Sequence, residues 1–111
     1  MAMQSKLQAF GQELAQLLPD ATIVHYWHPV TDAPYLIWYE TSEADSFEAD
    51  NRKAEMVLTV NIEYFTRVEF DPMVDSINAY LTTKGLWRLD SVLYESDTNL
   101  IHYSWTVEVF A

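Results

Sequence analysis

The sequence predicts an α+β fold, a two-layer sandwich whose mostly antiparallel sheet carries two helices on one face, in the order α-β-β-β-α-β-β. Three observations predict it. Residues 100–110 alternate strictly, with Ile101, Tyr103, Trp105, Val107 and Val109 set against His102, Ser104, Thr106, Glu108 and Phe110. That period of two is the signature of a strand. Residues 55–66 repeat it, Leu58, Val60, Ile62 and Tyr64 lining one face. Two further segments place apolar residues every three to four positions, as amphipathic helices do.

Taken in order, Leu7, Phe10, Leu14, Leu17 and Leu18 form the first helical stripe, with Ser5 as its expected N-cap and Pro19 as its stop. Gly11 in its middle costs about 1 kcal/mol relative to alanine, too little to cancel a packed face. Residues 22–27 read as a short strand, and Pro29 and Pro34 bracket a turn around Thr31 and Asp32. Residues 35–41 form the next strand, Leu36 and Trp38 pointing one way and Tyr35, Ile37 and Tyr39 the other. Residues 42–53 hold Glu43, Asp45, Glu48 and Asp50 around a single large apolar residue, Phe47, and are expected to be a mobile acidic loop. Asp71 and Pro72 supply a cap and a first-turn proline for the second helix, whose buried stripe is Met73, Ile77, Tyr80 and Leu81. Gly85 is its expected stop. Residues 87–95 and 100–110 close the sheet as a hairpin about the turn 96–99.

Composition narrows the function classes. The 111 residues are expected to make one domain, 1–111. Half are hydrophobic, far more than a disordered chain carries. Seventeen acids against six bases give a net charge of −11, which repels duplex DNA and anionic membranes, so neither is expected as a direct partner. The absence of cysteine excludes disulfides, thiolate metal sites and cysteine nucleophiles. Lys6 precedes a mixed polar and apolar stretch, so no leader is expected.

Candidate chemistry is sparse. His25 and His28 stand three apart beside a strand, on opposite faces, and His102 lies on a polar strand face, so solvated histidines are expected and no metal site. The acids of the 42–53 loop match no EF-hand spacing and lack its glycine. With no phosphate-binding loop and no nucleophile elbow, neither an enzyme nor a cofactor is expected. The surplus lies in the aromatics, spread over five strands and both faces of the sheet. Trp27, Tyr35, Tyr39, Phe47, Phe65 and Phe110 are the candidate interface residues, since tyrosine and tryptophan are enriched where subunits meet.

Several strings add a resemblance. A helix leads to Tyr26-Trp27-His28-Pro29, then to Pro34-Tyr35-Leu36-Ile37-Trp38-Tyr39 and an acidic stretch. A long strand, a helix opened by Asp71-Pro72 and a closing Tyr103-Ser104-Trp105-Thr106-Val107-Glu108-Val109-Phe110 complete the series. Over nearly its full length the chain resembles the tail-terminator, or tail-completion, proteins of long-tailed phages and prophages. The resemblance implies a homo-oligomeric ring, commonly a hexamer, that stops tail-tube polymerisation and joins the tube to the head. It implies tail-tube and head–tail connector proteins as partners, manufacture in the bacterial cytoplasm and a place at the head-proximal end of the virion tail. An acidic lumen would let DNA pass without adhering. The alternative is an acidic DNA mimic that inhibits a DNA-binding protein, for which carboxylates would have to form rows spaced like phosphates.

Overall fold

The computed structural model describes residues 3–27, 32–43 and 57–110. Its elements are α1 (Met3–Leu17), β1 (Thr22–His25), β2 (Tyr35–Glu43), β3 (Val57–Thr66), α2 (Pro72–Thr82), β4 (Trp87–Glu95) and β5 (Leu100–Phe110). The α+β class and the element order are those the patterning predicts. The five strands form one sheet in the order β1-β2-β3-β5-β4. Three of its four pairings are antiparallel, and β1 runs parallel to β2.

Both helices pack on one face of the sheet, because every second residue of the inner strands is apolar there. Leu36 and Trp38 of β2, Leu58, Val60, Ile62 and Tyr64 of β3, and Trp105, Val107 and Val109 of β5 meet Leu7, Phe10 and Leu14 of α1 and Ile77 and Leu81 of α2. Trp105, Ile62, Val60 and Tyr64 are wholly buried. A fully buried aliphatic or aromatic side chain contributes roughly 1.5–3 kcal/mol, so this layer supplies most of what holds the domain together. Polar ties then fix the helices in place. Trp105 Nε1 donates to Asn78 Oδ1 at 2.8 Å, and Tyr80 Oη donates to Glu13 Oε1 at 2.6 Å, joining α2 to β5 and to α1. No described side chain buries a polar atom without a partner.

Several boundaries differ from the sequence reading. Helix α1 already includes Met3, so Ser5 lies inside it and caps nothing. Strand β1 stops at His25 because Tyr26 turns into the left-handed region at φ 77°. Strand β2 runs on to Glu43: past a bulge between Glu40 and Ser42, Ser42 and Glu43 still pair with Thr59 and Leu58. Only 44–53 of the expected acidic loop is thus outside β2, and that segment lies outside the described residues. Gly85 does not end α2 by a left-handed turn; Thr83 caps that helix. Glycine is required at 85 for another reason, since a Cβ there would come within 2.0 Å of the Glu108 carbonyl oxygen.

Candidate assembly surface

Among the described residues, three parts carry large apolar side chains outside the core. The first is the loop between β3 and α2. Asp71 caps α2 by accepting from Met73 N at 2.9 Å, and its other oxygen accepts from Tyr64 Oη and Thr66 Oγ1, both at 2.7 Å. Thr66 Oγ1 in turn accepts from Val68 N at 3.1 Å. The hydroxyls of two buried side chains and the cap therefore hold the loop rigidly. On this brace Phe70 adopts φ 58° and is 88% exposed. A bulky side chain in that region is strained. An apolar residue just before a helix cap ordinarily packs on the fourth helical residue, but that residue is Asp75, so Phe70 has no staple to make. With Val68 beside it, the loop presents a fixed apolar knob to solvent.

The second is β4, one edge of the sheet. Leu89, Val92, Leu93 and Tyr94 are all exposed, Tyr94 by 64%. Together they expose on the order of 400 Å², Leu89, Val92 and Tyr94 on the helix side of the edge and Leu93 on the other. Charges guard only part of this edge. Arg88 pairs with Asp90, which also accepts from Thr106 Oγ1 beside the bulge between Leu89 and Ser91. Burial pushes the Asp90 carboxyl up, but these donors outweigh it and hold it below its ordinary value. The following 91–94 carry no charge. The register sets Thr66, Ile101 and Tyr94 in one row, so the knob stands at the Tyr94 end of this edge.

The third is the opposite edge, at β1. Tyr26 and Trp27 follow that strand, and Trp27 is 73% exposed. Behind them a groove of about 490 Å³ opens between α1 and the sheet, lined by Leu7, Gly11, Ala15, Ile23, His25 and Trp38 with Gln4, Gln8 and Gln12 at its rim. Gly11 belongs there because a Cβ would sit 2.7 Å from the Trp38 ring. His25 stacks on Trp38 at 4.0 Å and lies 2.7 Å from Glu40 Oε1. Burial raises the Glu40 carboxyl, but hydrogen bonds from Tyr26 and His25 prevail and keep it lowered. The imidazole covers one side of the tryptophan and stays exposed to solvent on the other, as the sequence reading expects.

The face of the sheet away from the helices is polar but packed. Tyr35, Phe65 and His102 stack in one row, with centroids 4.5 and 4.1 Å apart. His102 Nε2 lies 2.7 Å from Glu63 Oε1, and Tyr39 Oη donates to Glu63 Oε2 at 2.8 Å. Unlike His25, His102 is mostly buried, so the expectation of a solvated histidine fails there because Phe65 and Glu63 enclose it. Ser104 Oγ sits 3.4 Å from that same Nε2. On the other side of the ring Glu95 Oε2 lies 3.5 Å from Nδ1, so His102 is held between two carboxylates. Among the described residues no three histidine or carboxylate side chains are grouped to hold a metal ion, and no helix is long and apolar enough to cross a membrane.

Of the six interface candidates read from the sequence, Trp27 is the strongly exposed one. Tyr35 and Tyr39 are half-buried and partnered within the chain, and Phe65 is 9% exposed beneath its stacking neighbours. Phe110 ends β5, its side chain outside the described residues, and Phe47 lies outside them altogether. Phe70, Val68 and the β4 row were not among the candidates. Their signals were present: an aromatic alone between Glu69 and Asp71, and three consecutive apolar residues, Val92-Leu93-Tyr94, where alternation should have placed a polar one. In comparison with known proteins, the chain matches no protein-family model and no curated protein sequence.

Proposed function

We propose that this chain is a ring-forming structural subunit of the tail-terminator kind, which caps a tail tube and joins it to a head, and that it is not an enzyme. One observation carries this reading: among the described residues, the large apolar side chains outside the core gather at the two opposite edges of the sheet and on one braced loop. Opposite patches suit head-to-tail contacts, which close into a ring when the rotation between copies permits. The strain at Phe70 and the rigid bonding beneath it suit a preformed anchor, since an ordered knob loses little entropy on docking. The net charge of −11 suits a lumen through which DNA slides without sticking. On this reading the tail tube and head connector proteins are its partners, and it resides at the head-proximal end of the tail after synthesis in the bacterial cytoplasm.

The DNA-mimic alternative gains no support from the acids described. Glu13, Glu40, Glu63, Asp71 and Asp90 are each bonded to other side chains, not aligned as a free row. The test uses a tail-tube protein of a long-tailed phage. Purified chain added to growing tubes is expected to cap one end, seen by negative-stain electron microscopy, and to arrest elongation. Tubes that lengthen unchanged, with bare ends at saturating chain, overturn the proposal.

A further inference from the structure

We propose that copies of this chain join edge to edge, the outer edge of β4 pairing antiparallel with the outer edge of β1 in the next copy, so that one sheet continues from subunit to subunit. The inference deepens the ring reading above and rests on it for the nature of the assembly, but its geometry comes from the fold alone. β1 runs with β2, and three antiparallel pairings then separate β2 from β4, so β1 and β4 run in opposite directions. Setting a second copy beside the first in the same orientation therefore brings β4 against β1 antiparallel, with all helices on one side.

The two edges match in length and in facing. β1 has 4 residues, and the uncharged stretch 91–94 of β4 is equally long. Ile23 faces the helices, where it lines the groove, so Val24 faces away. Tyr94 pairs across from Ile101 on the helix side, and Leu93 across from His102 on the other. One register satisfies both faces, Ile23 opposite Tyr94 and Val24 opposite Leu93. The backbone agrees. Thr22 N and Tyr26 N donate to β2, so Ile23 turns its peptide groups outward. Glu108 N donates to the Leu86 carbonyl, and alternation from that bond turns His102 toward Leu93 and leaves Tyr94 pointing outward. Among the described residues none takes up these groups, so Ile23 and Tyr94 can exchange ladder hydrogen bonds.

Size and chemistry point to a second copy as the occupant. The exposed β4 residues present on the order of 400 Å², about half of the roughly 800 Å² per partner of a stable interface before the paired backbone is added. The same register brings the exposed Arg88 to the Trp27 end of β1, where an arginine can lie over an indole face. A twofold pairing of β4 with β4 would leave Tyr26, Trp27 and the β1 edge bare.

The chain has no cysteine, so directed cross-linking is clean. Val24→Cys and Leu93→Cys are made as separate single variants, each verified as folded by circular dichroism, and oxidised alone and mixed. The expected result is a disulfide-linked dimer in the mixture and none from either variant alone, because opposed strand residues lie within disulfide reach. Adding Val92→Lys to the Leu93→Cys chain is expected to reduce the mixed dimer at least tenfold. A dimer from Leu93→Cys alone shows β4 pairing with itself and overturns the proposal, as does absence of the mixed dimer at millimolar chain. Because no tube protein is present, failure here with intact tube capping removes the edge pairing alone. Cross-linking without capping removes the tail reading alone.

Discussion

Removing the Asp71 carboxylate is the perturbation whose cost the structure specifies best. One oxygen caps α2 through Met73 N, and the other accepts from Tyr64 and Thr66, whose side chains are 0% and 1% exposed. In Asp71→Ala the lost cap costs about 1 kcal/mol. The two hydroxyls are left without their acceptor, at about 1–3 kcal/mol each, eased for Tyr64 by the nearby Met73 sulfur at 3.1 Å. A total of about 3–7 kcal/mol follows, toward the lower end because of that sulfur, and a large share of the 5–15 kcal/mol typical of a domain. Urea unfolding followed by circular dichroism should give a lower midpoint with an unchanged slope. The cycle with Tyr64→Phe should show coupling of about 1 kcal/mol or more. A loss below about 1 kcal/mol would refute the reasoning, because the cap alone would then account for all of it.

Other expectations concern separate parts of the molecule. Gly11→Ala, which in an open helix stabilises by about 1 kcal/mol, should here destabilise by about 1–3 kcal/mol because the new Cβ meets Trp38 at 2.7 Å; urea unfolding reads the sign. Phe70→Gly should raise the urea midpoint by relieving about 1 kcal/mol of left-handed strain while weakening assembly, measured by light scattering. Lys84 and Tyr80 hold the Glu13 carboxyl below its ordinary value, as donors do for Glu40 and Asp90. Because these folded-state values lie below the unfolded ones, the stability they add is complete above the usual carboxylate range near pH ~4 and drains away as pH falls through the lowered values. Urea midpoints should therefore fall in that window, and less steeply for Glu13→Gln.

Much of the fold was legible because periodicity and cap chemistry act locally. The strict alternation of 100–110 gave β5 to the residue, and Asp71-Pro72 gave the start of α2. What escaped depends on distant neighbours. Nothing near Gly85 tells that the Glu108 carbonyl passes over it, and nothing near Gly11 announces the Trp38 ring. The parallel pairing of β1 was hidden for the same reason, since strand direction is set by the path of the chain and not by side-chain pattern. The burial of His102 is illegible locally because Phe65 and Glu63, which enclose it, lie on a strand far away in the chain. Aromatic content alone does not separate exposed Trp27 from Tyr35, Tyr39 and Phe65, which inner-strand neighbours cover, because that depends on sheet order. Placing β4 at the edge is what leaves Val92, Leu93 and Tyr94 uncovered.

The mass of the assembled particle in native mass spectrometry bears most directly on the claim that apolar surface left outside the core serves to join copies of the chain. A closed ring gives one species at a fixed whole multiple of 12.9 kDa, retained on dilution until it falls to single chains. A lone 12.9 kDa species at every concentration, with or without tube protein, would contradict it.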